Sequence, residues 1–218
     1  MKKVIIIGGI GNGTVIASAI ADAEKRGHND WEVAGFLNDR TPIGETIEGN
    51  RVLGTLADVD QFLAKDFHFI YTVYKIEGNR ERLNLFNTLN IPAERLATFI
   101  HPSAYVAEDV ELSPGTVIMP NASISPGVST GFGCLVMVGA SLGHNTQSSS
   151  HCHFAAQSVV GAYCKIETGV HVGLNSTIRE NVNIGKHSTL GMGSVLLENI
   201  PENEVWAGNP ARRIKRNV

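Results

Sequence analysis

Between Ser103 and Glu198 one pattern of inward and outward positions repeats every six residues without an insertion. Stepping from Val106, the chain reads Val106, Leu112, Ile118, Ile124, Thr130, Val136, Leu142, Ser148, Phe154, Val160, Ile166, Val172, Ile178, Ile184, Leu190 and Leu196; fourteen of these sixteen are apolar, and Thr130 and Ser148 are the exceptions. Two positions earlier in each unit stands a small or β-branched residue, as at Ala104, Thr116, Ala140, Ser158 and Ser188. Residues two apart share one face of a strand, so both tracks point into one interior. A helix demands apolar spacing near 3.6, and this track ignores it. Self-similarity at so short a fixed period predicts a parallel β-helix, in which each unit buries its inner face only against its neighbours. Gly143, Gly161, Gly173, Gly185 and Gly191 directly follow the large inward residue and are expected to permit tight corners.

The first hundred residues carry a different pattern. Lys2 to Ile7 reads as a buried parallel strand and runs into Gly8-Gly9-Ile10-Gly11-Asn12-Gly13, followed by a helical stretch from Thr14 to Lys25. Strand, glycine turn and helix is the arrangement that brings a phosphate or ribose against backbone N–H groups at a helix start. Gly9 and Gly11 fit the dinucleotide fingerprint, whereas Thr14 stands where its third glycine belongs. A second strand, Trp31 to Leu37, ends at Asn38-Asp39, where such folds place a ribose-reading acid. Gly54 with Leu56 to Leu63 suggests a turn and helix, Phe67 to Tyr74 a third strand, and Asn79 to Asn90 a further helix. The plain alternative is that the glycines merely allow a close strand-to-helix turn. A nicotinamide cofactor is not expected, because nothing in the second half offers a hydride-transfer site.

Composition narrows the picture only a little. The 218 residues suit one or two domains, and a formal net charge of −3 advertises neither nucleic acid nor an acidic membrane surface. Glycines interrupt the apolar run after Met1-Lys2-Lys3 well short of a signal-peptide core, and no stretch approaches the length of a membrane span. Cys134, Cys152 and Cys164 all lie on the inward small-residue track, which makes them packing residues and predicts reduced thiols in a cytoplasmic protein. Cys134 and Cys152, eighteen apart, are placed to stack on neighbouring coils.

The hexapeptide track resembles the left-handed β-helix of bacterial acyltransferases, in which three hexapeptides make one triangular coil; sixteen units then give a little over five coils. A small Rossmann-like domain, the junction Ile100-His101-Pro102, the hexapeptide helix and the terminal Trp206-Ala207-Gly208-Asn209-Pro210-Ala211 together resemble the sialic-acid O-acetyltransferase type of sugar O-/N-acyltransferases. That family includes enzymes that N-acetylate the amine of nucleotide-linked 4-amino-dideoxy sugars. The resemblance implies a sugar-nucleotide-binding domain over 1–97 and a left-handed β-helix acyltransferase domain with its C-terminal tail over 98–218. It also implies acetyl-CoA as co-substrate, a homotrimer, no nucleic-acid partner and no membrane insertion.

Residue by residue, the family's catalytic base falls on His144, at an edge between neighbouring subunits. His153 matches the histidine that meets the thioester end of acetyl-CoA. Leu174 matches a backbone contact to the cofactor, and Met192 stands where a relative has glycine. Gly11, Asn12, Asn38 and Asp39 fall to the sugar nucleotide. Asn145 is a departure, since relatives commonly carry Asp or Glu after the catalytic histidine; an amide accepts a hydrogen bond but supplies no charge. Histidine suits the base because its ordinary pKa lies near neutrality. Arg212, Arg213 and Lys215 form a basic tail with the charge to pair with CoA phosphates, but a basic terminus is more often simply solvated and the tail is not counted in the site. Two other readings stay open on sequence alone. One is a zinc hydratase of the γ-carbonic-anhydrase kind, for which His153 and His171 would stack. The other is a non-catalytic sugar-nucleotide-binding assembly protein.

Overall fold

A computed structural model describes residues 1–75 and 77–216; residues 76, 217 and 218 lie outside the described residues. The N-terminal part is an α/β unit. Its elements are β1 (Lys2–Ile7), α1 (Asn12–Lys25), β2 (Trp31–Leu37), β3 (Thr46–Ile47), β4 (Asn50–Gly54), α2 (Val59–Leu63), β5 (His68–Tyr71) and α3 (Asn79–Thr88). Their sheet has the order β3-β4-β2-β1-β5, parallel except for the β3–β4 hairpin. Val4 to Ile7 are fully buried because both faces of this central strand are covered. The hairpin is not foreshadowed by the sequence pattern, and the third strand and last helix are shorter than the pattern suggests.

The second half is built from two-residue strands at the predicted spacing. They run from β7 (Tyr105–Val106) to β22 (Val195–Leu196), and the second residue of each is the large inward residue of its unit. Every ladder pairs residues eighteen apart, for example Ser123 with Ser141 and His153 with His171, so three strands complete a coil. Three parallel sheets form the walls of a triangular prism around one core that runs from Ile118 through Phe154 to Leu190. Thr130 and Ser148, the two polar exceptions, stack on the same wall. Their hydroxyls are answered by the small track, Thr130 by Thr116 at 3.0 Å and Ser148 by Cys134 at 3.8 Å. At one end β6 (Phe99–Ile100) extends one wall, and at the other the hairpin of β23 (Glu204–Gly208) and β24 (Ala211–Arg216) closes it.

The corners correct one expectation. Gly143 and Gly161 are not the residues that turn the chain. A Cβ at Gly143 would lie 2.6 Å from the carbonyl carbon of Gly161, and one at Gly161 would lie 2.5 Å from the nitrogen of Glu180, so these glycines let successive coils approach. The left-handed corner falls two residues later, at positions such as Asn121, Asn145, Asn175 and Asn181 with φ between 52° and 59°. Asn tolerates that region because its short polar side chain is compatible with it.

The three walls differ on the outside. One presents Val117, Leu135, His153, His171 and Thr189, all buried, and we call it the docked face because the α/β unit packs on it. Asn79 of α3 donates to Thr189 Oγ1 at 3.1 Å and to the carbonyls of His187 and Ser188 at 3.3 Å, and Arg82 donates to the His151 carbonyl at 2.6 Å. Buried His101 links α1 to the first coil through Asp22 at 3.1 Å. The second wall shows Tyr105, Ser123, Ser141, Val159, Thr177 and Val195; the third shows Glu111, Ser129, Gln147, Lys165 and Asn183.

Candidate active site

The C-terminal ends of β1, β2 and β5 open into a cleft of about 570 Å³ lined by Gly8 to Asn12, Asn38 to Thr41 and Thr72 to Tyr74. Because β1 lies between β2 and β5, this is the crevice in which open α/β sheets take ligands. All four residues expected to hold a sugar nucleotide, Gly11, Asn12, Asn38 and Asp39, line it. Their side chains have distinct tasks. Asn38 donates to the Gly8 carbonyl at 2.8 Å and accepts from the backbone N–H groups of Arg40 and Thr41, so it fixes the glycine loop and the opposite rim. Asp39 accepts from the Leu56 N–H through Oδ1. Gly8, outside the fingerprint pair, is the sterically demanding glycine, since it has φ 145° and a Cβ there would overlap the Thr72 side chain. Gly11 has φ 101° with open space beside it. Thr14, in the third-glycine position, bonds back to the Gly11 carbonyl at 3.2 Å.

Asn12 joins the two halves. Its Nδ2 lies 3.2 Å from Nε2 of His153, which brings together two residues expected to serve different substrates. His153 is 4% exposed. Its ring lies between Tyr74 and His171, at centroid distances of 4.8 and 5.0 Å, and its Nδ1 is 3.0 Å from Nδ1 of His171. With Asn12 donating to Nε2, the proton of His153 sits on Nδ1 and points at His171. The Tyr74 hydroxyl is 3.0 and 3.1 Å from the two ring nitrogens of His171, which puts it over the ring rather than along one lone pair. Burial holds both imidazoles neutral: it drives His153 well below the ordinary histidine value, helped by His171 and the Arg82 cation, and it takes His171 down to about 4. Burial likewise pushes the Tyr74 hydroxyl up to about 12. Tyr74, Arg82 and His171 were absent from the expected site. His171 alone had a signal, its place in the run of apolar and histidine residues at every eighteenth outward position, whereas Tyr74 and Arg82 lie outside that run. Among the described residues no group of three or more His, Cys, Asp or Glu side chains is placed to hold a metal ion.

Leu174 and Met192 are 51% and 75% exposed and stack on the corner that follows the docked face. The same corner begins with Pro120 and Val138, which with Met119 and α1 line a groove of about 690 Å³. Ile10 and Gly11 line both this groove and the cleft, so the glycine loop is the wall between them. The basic tail is committed within the chain: Arg212 pairs with Glu198 at 2.8 Å, Arg213 with Glu204 at 3.0 Å and Lys215 with Glu77 at 2.6 Å.

His144 lies apart from all of this. It occupies the corner between the second and third walls, opposite the docked face, and it is exposed. Asn145 Oδ1 accepts from Nδ1 at 3.0 Å, which leaves the lone pair of Nε2 facing outward. The ring of Tyr163 meets it edge to face at 5.0 Å.

No family model and no curated protein matches this sequence. Solved structures do. The acetyltransferase domain of PglB from Neisseria gonorrhoeae FA1090 is 26% identical, with 98% of this chain and 100% of that one covered and a TM-score of 0.84. The same domain in complex with acetyl coenzyme A gives 26%, 98%, 99% and 0.83. PerB from Caulobacter crescentus, in complex with CoA and GDP-perosamine, is 22% identical over 98% of each chain, with a TM-score of 0.83. Matching order of elements, end-to-end coverage and an unbroken hexapeptide register make this chain similar over its whole length to acetyltransferases built on a left-handed β-helix of hexapeptide repeats, whose fold it shares.

Proposed function

We propose that this protein transfers an acetyl group from acetyl-CoA to an amine or hydroxyl of a nucleotide-linked sugar. The observation that carries the reading is the glycine loop shared between the 570 Å³ cleft and the groove along the coil corner. A ligand in each would approach the other at Ile10 and Gly11. The complexes of the similar PglB and PerB structures, with acetyl coenzyme A and with CoA plus GDP-perosamine, support the same pair of substrates here. On this reading residues 1–97 bind the sugar nucleotide and residues 98–218 carry the acyl transfer. Gly11, Asn12, Asn38 and Asp39 hold the nucleotide, and Leu174 and Met192 line the path of the pantetheine arm. His153 backs the thioester end from behind Asn12. Cys134, Cys152 and Cys164 remain thiols in a cytoplasmic enzyme.

Chemistry then requires a base, and His144 of the same chain faces away from the cleft. The site is completed by His144 of a second copy, which in closed cyclic assembly gives a homotrimer with three equivalent sites. The acceptor atom attacks the thioester carbonyl carbon, its proton passes to Nε2 of His144, and the tetrahedral intermediate collapses with cleavage of the C–S bond and departure of CoA as the thiolate. An amine acceptor suits His144 better than a hydroxyl. Once attached, its nitrogen carries an acidic proton that an imidazole without carboxylate support still removes.

The test is thioester turnover with acetyl-CoA against paired nucleotide sugars bearing an amine or a hydroxyl at one carbon. Release of CoA with any member supports the reading, and none with the whole panel overturns it. Mixing His144→Ala chains with chains disabled in the cleft should restore part of the activity, because a mixed assembly contains sites with both intact halves. No recovery in verified mixed trimers would show that one chain supplies its own base.

A further inference from the structure

We infer that Tyr163 is a positioning residue for the imidazole of His144; this rests on the reading of His144 as the base. Tyr163 occupies a left-handed corner, with φ 57°. Most corners of this helix place Gly or Asn there, as at Gly115, Asn121, Gly127, Asn175 and Asn181. A bulky side chain in that region is an outlier that the surroundings must sustain, and such outliers cluster where function requires them. The other large corner residues have a packing reason. His151, Gln157 and His187 each lie over a glycine one coil earlier, Gly133, Gly139 and Gly169. The residue one coil before Tyr163 is Asn145, so its ring covers no glycine and instead meets His144.

The geometry defines its task. The two rings are 5.0 Å apart at 84°, an attractive edge-to-face arrangement. The Tyr163 N–H donates to the His144 carbonyl at 3.0 Å, a bond whose equivalent the corners at Asn145, Gln157 and Asn181 also make, so the ring contact is what distinguishes Tyr163. Asn145 takes Nδ1 from one side and Tyr163 holds the ring plane from another, so an imidazole that is otherwise exposed keeps Nε2 turned outward. Without the aromatic ring the imidazole gains rotamers in which Nε2 misses the acceptor, and small misplacements of a reacting group are costly in rate.

The experiment compares the full chain with Tyr163→Phe, Tyr163→Asn, His144→Ala and the double variant His144→Ala/Tyr163→Asn, measuring kcat, KM for both substrates and the thermal midpoint. Tyr163→Asn should lose about tenfold in kcat with KM within twofold, and its midpoint should hold or rise, because Asn fits the left-handed corner better. Tyr163→Phe keeps the ring and should stay within about twofold of the parent. The double variant should be no slower than His144→Ala alone. Parent-like kcat in Tyr163→Asn, a loss expressed in KM, or an equal further loss in the His144→Ala background would overturn the inference. An undiminished His144→Ala would instead remove the base on which it rests.

Discussion

His153 and His144 stand nine residues apart on one regular helix, yet their surroundings are opposite. His153 is walled in by the α/β unit, its ring stacked between Tyr74 and His171 and both nitrogens engaged. His144 is exposed, one nitrogen held by Asn145 and the other free to meet a substrate. The difference arises from the coil geometry alone: half a coil carries the chain from one corner across a whole wall to the docked face. Residues on that face are packed against the α/β unit, whereas the opposite corner leaves the His144 ring exposed. The two positions should therefore fail in different ways when altered.

The largest effect is expected at the exposed corner. His144→Ala should lower kcat by about 10²–10⁴-fold, the usual contribution of a positioned base, while the thermal midpoint stays put. Steady-state kinetics with thermal unfolding of the same sample checks both halves. A lowered midpoint with normal kcat would reverse the assignment.

At the docked face the expected response is in stability and depends on pH. His171 is neutral when folded, with its pKa down at about 4, against an ordinary value of 6.5. Burial is the main cause and the Arg82 cation of α3 adds to it, while His153 on the neighbouring strand and Tyr74 from the segment after β5 pack against the ring as neutral groups. The unfolded chain binds the proton more readily, so the contribution is fully present above about pH 6.5 and is lost as pH falls towards 4. The difference between the two pKa values corresponds to on the order of 3 kcal/mol. Denaturant titrations across this range should show stability falling with acid, and His171→Gln should flatten the fall. An unchanged slope in the variant would assign the acid sensitivity to another group.

A smaller effect belongs to the residue that ties the faces together. Asn12→Ala deletes the donor to His153 Nε2 and leaves a buried acceptor without its partner, which costs about 1–3 kcal/mol. Because Asn12 also lines the cleft, calorimetry should find nucleotide-sugar affinity reduced several-fold. Affinity at the parental level would confine Asn12 to holding the two halves together.

Much of this division was written in the chain. The six-residue track predicts the register strand for strand, because in a solenoid each unit buries its inner face only against adjacent units and local order fixes global shape. The wall that docks is also legible, at a period of eighteen: Phe99, Val117, Leu135, His153, His171 and Thr189 contrast with Glu111, Ser129, Gln147, Lys165 and Asn183 on another wall. Less legible were Tyr74, Asn79 and Arg82, whose partners lie 69 to 110 residues away and follow no local period. The glycines after the large inward residues invited a turning role, but flexibility and close approach leave the same mark in a sequence. Only the positive φ values two residues later separate them. Tyr163 is an intermediate case, since its eighteen-residue spacing from Asn145 is plain while its contact with His144 depends on both lying at a corner.

The smallest expected effect addresses why the exposed His144 imidazole, the proposed base, has an amide beside it. In Asn145→Asp a carboxylate replaces the amide oxygen now 3.0 Å from Nδ1, and Asp tolerates the left-handed corner as Asn does. The carboxylate favours the imidazolium, so the base becomes stronger but a smaller fraction of it is free at a given pH. In a solvated location such pairs are worth about 1 kcal/mol or less, and the two consequences partly cancel near neutrality. For a hydroxyl acceptor, whose proton is hard to remove, turnover should rise a few-fold and the acid limb of the pH–rate profile should move upward. For an amine acceptor only the limb should move, because the proton surrendered after attack is already acidic. Measuring both acceptors across pH distinguishes these outcomes. A limb that stays in place for both would mean that a carboxylate from a neighbouring copy already reaches His144, and that Asn145 only selects the tautomer.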